Sequence, residues 1–120
     1  MVLVDTSVWI DHLRNGNHRL ESLLDEGEVL CHPFIIGELA CGHIVNRTPI
    51  LAFLRSLPQA AAAGQDEALA LIDAHRLIAR GLGFIDVHLL ASARLSGSSI
   101  WTSDMPLKNA ATRLGVAYAH

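Results

Sequence analysis

The chain has 120 residues, 51% of them hydrophobic and 18% charged, which suits one buried core and excludes a disordered segment. Twelve acidic residues against nine basic ones give a formal charge of −3, which argues against a broad basic face for nucleic acid. The longest run without a charge, Ser56 to Gln65, is about half of what a membrane-spanning helix needs, so no membrane segment is expected.

Met1 to Val4 is a short apolar run ending at Asp5 and reads as a buried first strand. Thr6 to Arg14 carries Val8, Trp9 and Leu13 at helical spacing, and Asn15-Gly16-Asn17 marks a turn. Leu20, Leu23 and Leu24 form a helix face up to Gly27, and Val29-Leu30-Cys31 reads as a second strand. Pro33 suits a first helical turn, and Phe34 to Ile44 is an apolar helix. Thr48-Pro49 opens a short helix that stops at Pro58. Ala60 to Ala63 stands where a strand is due, although alanine is a poor strand former. The spacing of Leu69, Ile72 and Leu77 predicts a helix over 66–80, ended by Gly81. Asp86 to Leu95 is a further helix, Ser99 to Thr102 a strand, Pro106 to Leu114 a helix and Val116 to Tyr118 a last strand. Strands alternating with helices predict an α/β fold with a mainly parallel sheet and helices on both faces, as one domain over 1–120.

The N-terminus has neither a basic start nor a long apolar core, so no secretory signal is expected. Cys31 and Cys41 read as two reduced thiols, which places the protein in the cytoplasm. Eight of the nine basic residues are arginine, the side chain that makes paired hydrogen bonds to phosphate.

Four acids stand among apolar neighbours. Asp5 ends Val2-Leu3-Val4, Glu38 lies within Phe34 to Cys41, Asp86 sits in Phe84-Ile85-Asp86-Val87, and Asp104 follows Ser99 to Ser103. A buried carboxylate needs a partner or a metal. Asp5 and Asp104 fall at the carboxyl ends of predicted parallel strands, where such sheets bind ligands. Four converging carboxylates repel, and a hard divalent cation such as magnesium offsets that repulsion with oxygen ligands. Other roles are open for three of the four acids: Asp5 and Asp86 as helix caps, and Glu38 paired with an arginine such as Arg47 or Arg80.

The ordered set Val4-Asp5-Thr6-Ser7, Gly37-Glu38-Leu39, Asp86 to Ala93 and Thr102-Ser103-Asp104 resembles the PIN-domain nucleases, and the length and opening match their VapC-type toxins. The resemblance implies a three-layer α/β/α sandwich and an endoribonuclease dependent on Mg²⁺ or Mn²⁺. It implies that Asp5, Glu38, Asp86 and Asp104 are the catalytic acids, with Asp5, Asp86 and Asp104 on the metal. Thr6, Ser7 and Thr102 match flanking hydroxyl positions that support them. The implied partners are an RNA substrate, a VapB-type antitoxin and a second copy in a homodimer. Many members carry a further acid where this chain has Pro106, so one tightly held ion is expected.

Three other readings carry less. Cys31-His32 and Cys41-Gly42-His43 lack the usual spacing of a zinc site. A silent PIN-like module that binds RNA or protein is the alternative to an enzyme, and a DNA nuclease of the same fold is another. Trp9, Leu13, Leu20 and Leu24 make an apolar surface on which the antitoxin is expected to lie.

Overall fold

Val2, Leu3 and Val4 are all buried, and two of the three are β-branched, so this segment favours a strand covered on both faces. In the computed structural model, which describes residues 1–119, that strand is β1 (Val2–Val4) and it lies at the centre of a sheet. β2 (Val29–Leu30) and β3 (Ser99–Trp101) pair with it on either side, both parallel. Val2 faces Val29 on one side and Ser99 on the other, and Val4 faces Trp101. Single parallel bridges, Cys31 to Gln59 and Ile100 to Ala117, extend the ladder outward. His120, the last residue of the expected domain, lies outside the described residues.

Parallel strands need long crossovers, and helices supply them. These are α1 (Thr6–Asn15), α2 (His18–Asp25), α3 (Pro33–Cys41), α4 (Arg47–Ser56), α5 (Gln65–His75), α6 (Phe84–Leu95) and α7 (Met105–Arg113). The result is the α/β sandwich that the alternation predicts. Trp9, Leu20, Ile35, Leu89, Leu90, Ile100 and Leu107 are fully buried around β1. Because the strands run the same way, their carboxyl ends share one edge. There the Asp5 N–H donates to the Trp101 carbonyl at 2.9 Å, which sets the turn after β1 beside the turn after β3.

Three expectations are corrected. Residues 60–63 are not a strand: after the single bridge at Gln59, the Ala61 N–H donates to the hydroxyl of Ser96, just past α6, at 2.9 Å and the Ala63 N–H to that of Ser92 within α6 at 3.4 Å. Four alanines offer no side-chain packing to hold a ladder, so side-chain acceptors take the backbone instead. The helix predicted over 66–80 ends at His75, because Arg76 turns left-handed at φ 54° without a glycine to signal it. Val116 to Tyr118 contributes one bridge, at Ala117, rather than a strand.

Ala79 is exposed and also left-handed, at φ 58°. That conformation costs an L-residue about 1–2 kcal/mol, and the extra unfolded-state freedom of glycine offsets part of the gain. Ala79→Gly is expected to raise stability by up to about 1 kcal/mol, read as a higher melting temperature in metal-free buffer. A fall in melting temperature would mean that the methyl group packs.

Candidate active site

The site is built from the loops at the carboxyl edge of the sheet. Asp5 leaves β1 at the N-cap position of α1, yet its carboxylate makes no cap hydrogen bond. Instead Oδ2 accepts two hydroxyl protons, from Ser7 at 2.9 Å and from Thr102 at 2.7 Å. Those hydroxyl oxygens are themselves acceptors: Ser7 Oγ from the Ser103 N–H at 3.0 Å, and Thr102 Oγ1 from the Asp104 N–H at 3.0 Å. Asp5 is only 7% exposed, so this network is what keeps a carboxylate inside the fold. Oδ1 takes none of these bonds.

The other three acids are held in the same one-sided way. Asp86 is the third residue of α6, and its Oδ2 accepts the Gly83 N–H at 2.9 Å, capping that helix. Asp104 is the N-cap of α7, and its Oδ2 accepts the Leu107 N–H at 3.1 Å. Glu38 stands on α3 and its Oε1 accepts the Thr6 hydroxyl at 2.9 Å. Each carboxylate therefore has one oxygen engaged by the protein and a second outside these bonds. Asp86 does cap its helix, as the open alternative allowed; Asp5 does not. Arg47 and Arg80 donate to the carbonyls of Ala40 and Arg76 and leave Glu38 alone.

The four acids act on one another. Glu38 holds its proton above the ordinary glutamate range, chiefly because the surrounding protein strips part of the water from its carboxyl although the residue as a whole is exposed, with the Thr6 hydrogen bond opposing and the charges of Asp5 and Asp86 adding to it. Asp86 is raised as well, again chiefly by burial, with Asp5 and Asp104 adding and the Gly83 N–H opposing. Among the described residues no Lys, Arg or His forms an ion pair with any of the four. An all-oxygen, cation-free donor set of carboxylates and hydroxyls matches a hard divalent ion. The set is open rather than closed: among the described residues no three His, Cys, Asp or Glu are placed to hold an ion by themselves. Magnesium tolerates that, because it keeps waters and accepts substrate oxygens as ligands.

Burial is less uniform than the apolar neighbours suggest. Asp5 is buried and Asp86 half-buried, whereas Glu38 and Asp104 are exposed at helix surfaces. Sequence reasoning also missed the Ser103 N–H and the Gly83 N–H, since backbone groups carry no residue-type signal. The zinc alternative fails on geometry. Both ring nitrogens of His32 are engaged, Nδ1 by the Phe34 N–H and Nε2 with Ser92 Oγ, and burial pushes the Cys31 thiol up to about 11. The expected apolar surface is corrected too. Trp9 and Leu20 are 1% and 0% exposed core residues; of the four residues expected there only Leu13 lines the apolar groove, which lies between α1 and α3 with Ile10, Leu39, Ile44 and Val45 beside Glu38.

A parallel sheet with acids converging at its carboxyl edge defines a class. Residues 2–112 match the family model described as PIN domain, and the chain belongs to the PIN-domain family. It is 48% identical over 120 residues to "Ribonuclease VapC32" of Mycobacterium tuberculosis, from strains CDC 1551 / Oshkosh and ATCC 25618 / H37Rv alike. That match covers 99% of this chain and 97% of the relative. Among solved structures, PAE2754 from Pyrobaculum aerophilum superimposes with a TM-score of 0.60 at 20% identity, over 90% of this chain and 77% of that one, and so shares the fold.

Two predictions follow from the network. Thr102→Val keeps the shape but removes a donor to Asp5 and the acceptor for the Asp104 N–H. It is expected to cost about 1–3 kcal/mol in metal-free denaturant unfolding, with Thr102→Ser restoring most of it; an unchanged midpoint would mean that Ser7 alone holds the carboxylate. The second concerns pH. Glu38 and Asp86 bind protons more tightly folded than unfolded, so their contribution to metal-free stability is greatest where both are protonated. It falls as pH rises from the ordinary carboxyl range through the raised values. Asp86→Asn, which can still accept from Gly83, should flatten this decline in chelator-treated protein. Identical pH profiles for the two proteins would contradict the assignment.

Proposed function

We propose that the chain works as one nuclease domain in the cytoplasm, an endoribonuclease dependent on Mg²⁺ or Mn²⁺ and the toxin of a toxin–antitoxin pair. The observation that carries this reading is the one-sided holding of Asp5, Glu38, Asp86 and Asp104, which among the described residues form no ion pair with a cationic side chain. The likeness to a protein named as a ribonuclease supports it. Asp5, Asp86 and Asp104 would hold the ion together with water and substrate oxygens, while Thr6 fixes Glu38 and Ser7 and Thr102 fix Asp5. A divalent ion there, when bound, supplies positive charge against a phosphate and lowers the pKa of water.

The chain's own residues do the rest. Ser7 and Thr102 fix the orientation of Asp5 by donating to Oδ2, which leaves its other oxygen for a ligand. Glu38, with its proton affinity raised, is the carboxyl suited to take up a proton at Oε2 while Thr6 holds Oε1. The substrate is single-stranded or looped RNA, because attack at a phosphate needs no duplex groove. The products would carry 5′-phosphate and 3′-hydroxyl ends.

The groove between α1 and α3, about 310 Å³, suits a segment of a VapB-type antitoxin. Its apolar wall ends at Glu38, so a basic side chain from that segment would meet the acidic centre. Exposed Phe34, Phe84 and Ile85 on α3 and α6 support the homodimer.

The test is cleavage of single-stranded RNA with and without Mg²⁺. Asp5→Asn and Asp104→Asn should each lower the rate more than about a hundredfold, beyond what groups that merely support ligands contribute. Asparagine is still a good N-cap, so Asp104→Asn should melt as the parent does in chelator. Loss of both activity and stability would instead assign these acids to holding the fold.

A further inference from the structure

The connection from α5 to α6, residues 76–83, forms neither helix nor strand, yet its backbone is tightly specified. Arg76 and Ala79 lie at φ 54° and 58°, in the left-handed region, although both carry a Cβ, and Gly81 lies at 76°. Such residues persist only where their surroundings fix them, and they gather at functional sites. The fixing contacts are visible. Leu77 is buried and its N–H donates to the Ile72 carbonyl at 3.0 Å, while Arg80 Nε donates to the Arg76 carbonyl at 2.7 Å. A Cβ on Gly81 would meet Pro106 at 3.4 Å, and the Gly83 N–H is bound by Asp86. The loop is thus held between the first turn of α7, just after Asp104, and the first turn of α6.

This loop presents two guanidinium groups, Arg76 and Arg80, on either side of Ile78, which is 78% exposed. Among the described residues neither pairs with a carboxylate. The cations continue along α7. Pro106 and Arg113 are seven residues apart and so share a helix face, about 10 Å from one to the other. Gly81 meets that face at Pro106, and the His75 carbonyl accepts from Arg113 Nη2 at 3.3 Å. Arg94 Nη1 reaches His75 Nε2 at 2.6 Å. Four of the nine basic residues therefore line a path that starts beside Asp86 and Asp104. A polyanion brought to a cluster of carboxylates must be held by cations next to the cluster, and this path supplies them.

We propose that loop 76–83 binds the phosphodiester backbone of the RNA strand, with Arg76 and Arg80 on phosphates flanking the scissile one and Arg94 and Arg113 on the path beyond. This rests on the ribonuclease reading above. The test uses the full chain and a short fluorescein-labelled single-stranded oligoribonucleotide, with binding followed by anisotropy across a salt series in chelator. Each lost phosphate contact lowers the salt slope by about 0.7, so Arg76→Ala/Arg80→Ala should lower it by about 1.4 and weaken low-salt affinity at least about tenfold. Arg76→Lys/Arg80→Lys keeps the charge and should keep the slope, which guards against an alanine variant that folds poorly. In Mg²⁺ the alanine pair should raise KM more than it lowers kcat. Parental slope and affinity in the alanine pair, in a preparation whose parent cleaves RNA, would overturn the loop site alone. A parent that binds through these arginines but never cleaves would leave the loop site standing and remove the nuclease reading.

Discussion

Asp5 lies at the end of the central strand, and its charge is tolerated there because two hydroxyl groups donate to the same oxygen. Ser7 comes from the first turn of α1 and Thr102 from the end of β3, so one carboxylate ties together three elements that meet at the sheet's edge. The N–H groups of Ser103 and Asp104 feed the same two hydroxyls, which makes the turn after β3 part of the network. Hydrogen-bond chains of this kind strengthen one another in a low-dielectric setting. Asp104 is thereby placed by a bond to one of the two hydroxyls that hold Asp5, so the positions of the two acids are tied through Thr102.

This arrangement removes an apparent choice between capping and chemistry. A carboxylate has two oxygens, and a helix N-terminus needs only one of them. Asp86 and Asp104 each cap with Oδ2, which fixes the side-chain rotamer and leaves the second oxygen at the centre's edge. The helix N-terminus also carries partial positive charge, which favours the anion it orients. For Asp86 that help does not outweigh burial and the neighbouring charges, because its proton affinity remains raised. Such a cluster weakens the metal-free fold, and proteins accept that where function requires it.

Much of this was legible in the sequence. The strand Val2–Val4 and the acid after it follow from a short apolar run, and parallel topology then sends Asp5 and Asp104 to one edge. The hydroxyl residues Thr6, Ser7 and Thr102 were legible only through family resemblance, since serine and threonine are common in turns for other reasons. Other features were hidden for physical reasons. Apolar neighbours suggested burial for Glu38 and Asp104, but a helix shows one face to water whatever its neighbours in sequence are. The end of α5 was misread because leucine spacing continues through Leu77, which is buried from the loop rather than from a helix. The groove beside Glu38 escaped notice because Trp9 and Leu20, the larger apolar residues, are used in the core.

The formal charge of −3 describes the whole chain, whereas the potential at one edge depends on which charges stand there. Glu38 belongs to the groove between α1 and α3, while Asp86 and Asp104 border the loop that carries Arg76 and Arg80. The acidic centre is therefore approached from two sides with different chemistry, one a mainly apolar groove that also carries Arg14 and His43, the other a loop of arginines. On the proposed reading, an antitoxin segment lying in the groove reaches the centre through Glu38 and RNA reaches it along the arginine path. An inhibitor so placed would block turnover at the carboxylates while the phosphate-binding loop remained in water. Exclusion at the shared centre, rather than competition for the whole RNA track, is then the way one short segment silences the site.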